Sequence, residues 1–176
     1  KRLGFPLIVK PANLGSSVGI AKAKNAEELD AAISFAGSFA QRIIVEKMVE
    51  GLREINCSVI GDYEHAEVSV CEEPIRQGEF LSYEDKYLSS GGKSEGQKGM
   101  ASTKRKIPAD LPVELEERVK YLAKETFKTL GCAGVSRIDF ILDTKDNQLY
   151  VNEINTIPGS LSFYLWEPSG KKFGQL

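Results

Sequence analysis

A single histidine, His65, and three scattered cysteines, Cys57, Cys71 and Cys132, are all the imidazole and thiol that these 176 residues hold. One imidazole excludes a multi-histidine metal centre. Its setting in the polar turn Gly61-Asp62-Tyr63-Glu64-His65 makes it a solvated residue rather than the base of a nucleophilic triad. The cysteines are odd in number and form no CxxC pair, which argues against a disulfide framework and a structural zinc site. They read as small apolar packing residues in a reducing, cytoplasmic protein. No apolar run reaches the roughly 18 residues of a membrane span, and no membrane partner is expected. Lys and Arg number 23 against 25 Asp and Glu, and a net charge of -2 supplies no broad cationic field for nucleic acid.

What is present is an ordinary globular composition, 41% apolar and 27% charged, long enough to bury a core. The sequence opens on Lys1-Arg2-Leu3-Gly4, without a targeting pattern, and reads as a piece of a longer protein. Two short strands, Leu7 to Lys10 and Gly19 to Ala23, flank the Gly/Ser stretch 13–17 as a hairpin. The pair Asn25 and Glu28 caps a helix running to about Ala40, and a buried strand from Arg42 to Met48 follows. Val49-Glu50-Gly51-Leu52 reads as a hinge, which divides the chain into a part of one lobe, 1–48, and a second lobe, 49–176. Strands are expected at Glu54 to Ile60 and Ala66 to Glu72. A polar Gly/Ser/Lys loop covers about 88–106, and Asp110 is expected to cap a helix with the stripe Leu115, Val119, Leu122, Ala123, Phe127 and Leu130, closed by Gly131. Strands Val135 to Leu142 and Gln148 to Ile154 form a last hairpin, and the tail beyond Gly159 shows no periodicity.

That hairpin carries the strongest chemistry. Arg137 and Asp139 stand two apart on one strand, Glu153 and Asn155 two apart on the other, so each pair shares a face. Ile138, Phe140 and Leu142 take the opposite face. Two carboxylates and an amide oxygen make a hard oxygen set suited to magnesium, and Arg137 beside it suits a phosphoryl group or oxyanion. The plain alternative is a strand pair with surface ion pairs. Gly15-Ser16-Ser17-Val18-Gly19 offers consecutive backbone N–H groups for phosphate oxygens or, alternatively, is only a flexible turn. Lys10 inside the apolar run Leu7-Ile8-Val9 calls for an anion, and phosphate would serve. Lys86 could reach the same phosphates. Glu46, Lys47 and Met48 at the hinge could meet an adenine, or Glu46 could be an edge carboxylate.

Five runs carry a resemblance: Phe5-Pro6-Leu7-Ile8-Val9-Lys10-Pro11-Ala12-Asn13 with 15–19, Tyr83-Glu84-Asp85-Lys86-Tyr87, Ile107-Pro108-Ala109, Arg137-Ile138-Asp139-Phe140, and 152–159. In this order they resemble the D-alanine:D-alanine ligase family of the ATP-grasp superfamily. The resemblance implies an α+β fold of two lobes, with ATP bound between antiparallel sheets. Lys10 and Lys86 would hold phosphates, and Ser16, Ser17 and Val18 would cover them. Glu46, Lys47 and Met48 would line the adenine pocket, and Glu54 would meet the ribose. Asp139, Glu153 and Asn155 would bind two Mg2+ ions, which Mn2+ could replace, while Arg137 and Gly159 would face the reacting carboxyl group. The implied activity is ATP-dependent joining of two D-alanine molecules through an acyl phosphate for peptidoglycan precursors. A homodimer of the full-length protein is compatible with it, and this part alone would be inactive. After Gly159 the family continues Phe-Thr and soon a serine, whereas Ser160-Leu161-Ser162 stands here. That leaves open D-serine or D-lactate as second substrate, another carboxylate-amine ligase of the same fold, or a non-catalytic nucleotide-binding module.

Overall fold

The computed structural model describes residues 3–15, 17–75 and 105–176. They fall into two compact units, 3–49 and 50–75 with 105–176. Ser16, Lys86 and nearly all of the expected 88–106 loop lie outside the described residues. The expected α+β mixture of helices with antiparallel sheets is present in both units. No described helix is long and apolar enough to cross a membrane.

In the first unit β1 (Leu7–Pro11) is central, flanked antiparallel by β2 (Ala21–Ala23) and β3 (Ile43–Lys47). Helix α1 (Ala26–Gly37) begins where the sequence places it, because Asn25 Oδ1 accepts the Glu28 N–H at 2.9 Å while the Glu28 carboxylate accepts the Lys24 N–H. Its Ala32 and Ala36 pack with Leu7, Val9 and Ala23 into one small core. The helix stops three residues short of Ala40, and β3 is not a buried strand. Only one face of the sheet is covered by α1, so Ile44 remains 38% exposed. The hairpin tip turns at Gly19, where φ is +71° and a Cβ would sit 2.8 Å from Pro11 Cγ.

The second unit is built on a five-stranded antiparallel sheet. In spatial order the strands are β6 (Arg105–Lys106), β5 (Ala66–Pro74), β4 (Leu52–Gly61), β7 (Gly134–Asp143) and β8 (Gln148–Asn155). Strict alternation in 54–59 sends Ile55, Cys57 and Val59 to one face, where they meet Ile138, Phe140 and the helix α2 (Val113–Thr129) through Val119, Ala123 and Phe127. Gly131 closes α2 as expected: with φ +64° it bonds Lys128 O, and Cys132 N–H reaches back to Phe127 O. Two expectations fail at this helix. Asp110 does not cap it, because its carboxylate is held by Lys106 at 3.0 Å and the helix starts after Pro112, which offers no side-chain cap. Leu130 lies past the last turn and is 58% exposed.

The tail has more structure than its sequence suggests. Phe163–Trp166 form a short helix, α3, and Leu165 and Trp166 are buried. The Trp166 indole N–H donates to Ser58 Oγ at 3.0 Å, and Ser58 in turn donates to Ser136 O, tying the tail to β4 and β7.

Candidate functional site

The polar face of the second unit is assembled by strand register. Opposite β7, Asn56 faces Asp139 and Ser58 faces Arg137; on the other side, Asn155 faces Arg137 and Glu153 faces Asp139. Directly opposed residues of an antiparallel pair share a face, so these side chains converge. One irregularity makes this possible. Leu149 and Ile154 of β8 both pack against the apolar core, and strict alternation could not send residues five apart to the same side. A bulge at Asn152, between the pairs Phe140/Val151 and Asp139/Glu153, changes the phase and brings Glu153 and Asn155 onto the Asp139 face.

Asp139 is the centre of the cluster, 3% exposed. Arg137 donates to both its oxygens, Nε to Oδ1 at 2.6 Å and Nη2 to Oδ2 at 2.7 Å, and Asn155 Nδ2 donates to Oδ2 at 2.9 Å. These are not the surface ion pairs of the plain alternative. Burial pushes the Asp139 carboxyl above its ordinary value, the hydrogen bonds and charge of Arg137 pull it back in part, and the charge of Glu54 adds to the rise. Burial works against the Arg137 guanidinium too, yet the Asp139 hydrogen bond and charge outweigh it and hold Arg137 above its usual value. Glu54 is thus electrostatically within reach of Asp139, as its place on the same face of β4 requires.

The donor set fits a hard divalent cation. Asp139 and Glu153 supply carboxylate oxygens and Asn155 an amide oxygen, with no sulfur or imidazole. Among the described residues no group of three or more His, Cys, Asp and Glu could hold a metal, so any cation here would depend on the amide and on phosphate or water oxygens.

In the first unit the structure brings two expected residues together. Lys10 Nζ lies 2.7 Å from Glu46 Oε2, so the anion that the lysine requires is here a carboxylate two strand positions along. The Met48 N–H donates to Pro6 O at 2.9 Å and the Val18 N–H to Gly15 O at 3.2 Å, which engages two backbone donors expected to face a nucleotide. Ser17 adopts φ +61° at the hairpin tip, and Lys47 ends β3 exposed. Gly159 is exposed and opens a turn in which Ser160, Leu161 and Ser162 all have φ near +50°.

The sequence reading missed Glu72, Asn56 and Tyr164. Glu72 is 2% exposed, and its carboxylate accepts Asn56 Nδ2 and the Tyr164 hydroxyl, each at 3.1 Å, and Arg105 Nη1 at 3.3 Å. A signal was available: Glu54, Asn56 and Ser58 alternate with Ile55, Cys57 and Val59 and so announce a polar stripe beside Arg137 and Asp139.

Comparison with known proteins finds relatives along the whole chain. The family described as D-ala D-ala ligase C-terminus matches residues 1–176. The D-alanine--D-alanine ligase of Thermosipho africanus is 45% identical over 174 residues, covering 99% of this chain and 44% of that protein. That of Solibacter usitatus is 48% identical, covering 98% and 50%. Among solved structures, a D-Ala:D-Ser ligase from Enterococcus faecalis superposes with a TM-score of 0.78 at 32% identity, covering 98% of this chain and 48% of that one. The D-alanine-D-alanine ligase from Coxiella burnetii gives 0.74 at 27%, covering 96% and 42%. The chain spans about half the length of the curated relatives it matches. Matched over its whole length, it belongs to the D-ala D-ala ligase C-terminus family, and its fold is that of the ATP-grasp enzymes.

Proposed function

We propose that the protein carrying this chain joins two D-alanine molecules at the expense of ATP, releasing ADP and phosphate. The observation that carries the reading is the buried Arg137–Asp139 pair with Glu153 and Asn155 on one sheet face. In the first step a carboxylate oxygen of one D-alanine attacks the γ-phosphorus of ATP and ADP leaves. The amine of the second D-alanine then attacks the acyl carbon, phosphate leaves, and a peptide bond remains. Neither step needs a protein nucleophile, which suits a chain with one exposed histidine and two of its three cysteines buried.

Each group has a part. Asp139, Glu153 and Asn155 would hold two Mg2+ ions, whose charge would neutralise the phosphate oxygens. Arg137, fixed at Asp139, presents permanent positive charge to the oxygen on which negative charge develops. Lys10 would exchange Glu46 for phosphate oxygens, with Ser16, Ser17 and Val18 over them and Lys86 as a second cation. Glu46, Lys47 and Met48 would frame the adenine. Glu54 would take the ribose and Gly159 the reacting carboxyl group.

A D-alanine:D-serine ligase is the second reading, favoured by the likeness to the Enterococcus faecalis enzyme and by the short Ser160-Leu161-Ser162 turn after Gly159. ADP release by the natural protein with D-alanine alone, compared with D-alanine plus D-serine or D-lactate, separates these readings. Release with D-alanine alone supports the first. ADP release with none of them would refute both and leave a nucleotide-binding module, or a ligase for other substrates.

A further inference from the structure

One row of side chains crosses the polar face of the second unit at right angles to its strands. From β5 to β8 it runs Glu72, Asn56, Asp139, Glu153, each directly opposite the next. Three of the four are carboxylates, which accept hydrogen bonds and donate none. Asn56 is 3% exposed, and one arm of its amide is committed, since Nδ2 donates to Glu72 Oε1 at 3.1 Å. The two arms cannot be exchanged, because an oxygen turned to Glu72 would set acceptor against acceptor. Glu72 is itself held, by the Tyr164 hydroxyl on Oε1 and by Arg105 Nη1 on Oε2. The other amide arm, Oδ1, is thereby turned away from Glu72; it is buried and meets no donor among the described residues. Such an acceptor is costly unless something donates to it. Opposite Asn56, Asp139 Oδ1 receives one donor and Oδ2 two, so one of the carboxylate's roughly four lone pairs is still uncommitted.

We propose that Asn56 is a positioning residue for a cation at Asp139, Glu153 and Asn155: its Oδ1 accepts a hydrogen from a water bound to that cation, while Glu72 fixes the amide. The proposal rests on the reading that this sheet face takes Mg2+. The physical need is specific. Asn56 and Asp139 are opposed residues that each keep an oxygen lone pair for a donor, and neither has a hydrogen to give the other. A water bridging them would donate both its hydrogens, and its own oxygen would then require a positive partner. A divalent cation is that partner, and Mg2+ keeps several of its waters when protein oxygens bind it. Glu72 gains a role by the same logic. It dictates which end of the Asn56 amide is left for the water, as groups behind metal ligands commonly set orientation.

The test is Asn56→Leu in the natural protein that carries this chain. Leucine matches the shape of asparagine, removes the amide oxygen and leaves Glu72 its Tyr164 and Arg105 donors. The probe is Mn2+ with the non-hydrolysable imido analogue of ATP, followed by electron paramagnetic resonance of free and bound Mn2+ below the melting range. The dissociation constant for Mn2+ should rise about tenfold to a hundredfold, the range for losing a group behind the metal ligands. The number of waters on Mn2+, counted by line broadening in 17O-water, should stay the same. An unchanged constant overturns the proposal, and so does one additional water, which would make Asn56 a direct ligand. Ser58→Ala, which takes the partner of Trp166 from the same strand, is the control. It should leave the constant unchanged, and an equal rise there would reduce the effect to lost stability and overturn the positioning role. If Asn56→Leu does not fold, asparagine labelled with 13C at Cγ decides, in an Asn152→Ser background that silences the bulge residue. Electron-nuclear double resonance should then show a second, weaker 13C coupling to Mn2+ beside that of Asn155, and a single coupling refutes the proposal. ADP release with D-alanine, D-serine or D-lactate is measured on the unsubstituted protein. A weakened Mn2+ affinity in Asn56→Leu, with no ADP released by the unsubstituted protein, would keep the positioning role and remove the ligase reading.

Discussion

Replacing Asp139 by Asn tests the centre of the site and separates its structural from its chemical work. The side chains of the pair are 13% and 5% exposed for Arg137 and Asp139, so the substitution leaves a guanidinium facing an amide with little water to replace the lost charge. At least one of the three donors now on the carboxylate meets an NH2 group instead of oxygen. Breaking one partner of a buried ion pair costs about 3–5 kcal/mol. The low end applies, because the buried carboxylate already carries a desolvation penalty that the amide escapes. A loss of about 3 kcal/mol should lower Tm by roughly 6–12 °C in a cooperatively melting chain of this length. The same variant should lose the response to metal. A ligand at a hundredfold its Kd stabilises by about 2.7 kcal/mol, so Mg2+ with ATP should raise Tm of the unsubstituted protein by several degrees and leave Asp139→Asn unmoved. The double variant Arg137→Met with Asp139→Leu removes both charges at similar volume, and it should recover most of the stability but none of the metal response. Calorimetry with and without MgATP gives both numbers. A double variant no more stable than the single one would refute the ion-pair argument, and a persisting Mg2+ shift in Asp139→Asn would remove that residue from the metal site.

Gly61→Ala should destabilise the second unit by 2 kcal/mol or more, an order of magnitude set by the strain of a non-glycine residue at φ +138°, since its Cβ would come 2.0 Å from His65 O; the urea midpoint reports it. Asp62, whose Oδ1 accepts the His65 and Glu64 N–H groups, is held below the ordinary carboxylate value by those bonds. Its folded value lies under the unfolded one of about 3.9, so its contribution is present above that pH and lost as pH falls through the folded value. Asp62→Ala should therefore lower stability at pH 7 and narrow the difference in stability between pH 7 and pH 3. Cys57 and Cys71 face each other across β4 and β5, both buried, and their hydrogen bond and then burial push the Cys57 thiol well up. A thiol reagent should label half-buried Cys132 first and the other two only on unfolding, and fast labelling of three would contradict the packing. Ser58→Ala should cost about 1–3 kcal/mol by leaving the indole N–H of the sole tryptophan, Trp166, without its partner, followed by tryptophan emission during denaturation.

The two longer helices, α1 and α2, were legible in the sequence because they depend on local chemistry. Asn25 and Glu28 cap α1 through bonds three residues apart, and Gly131 ends α2 because only its backbone freedom suits the left-handed closing turn. Asp110 looked like a cap by the same logic, but Lys106, four residues earlier, held its carboxylate.

What the sequence determined by itself is the alternation that splits β4 and β7 into an apolar and a polar face, since a strand's side chains alternate whatever surrounds it. It thereby committed Arg137 and Asp139 to one side and Ile138 and Phe140 to the other. Only the tertiary structure decided the rest. The bulge at Asn152 chose the phase of β8, because Leu149 and Ile154 both had to reach one core. Strand order set Glu72 and Asn56 beside the Arg137 cluster, and the fold-back of the tail delivered Tyr164 to Glu72 across 92 residues of sequence. No pattern within a window of neighbours encodes a contact made by chain closure, and the packing of the whole unit fixes which distant groups meet.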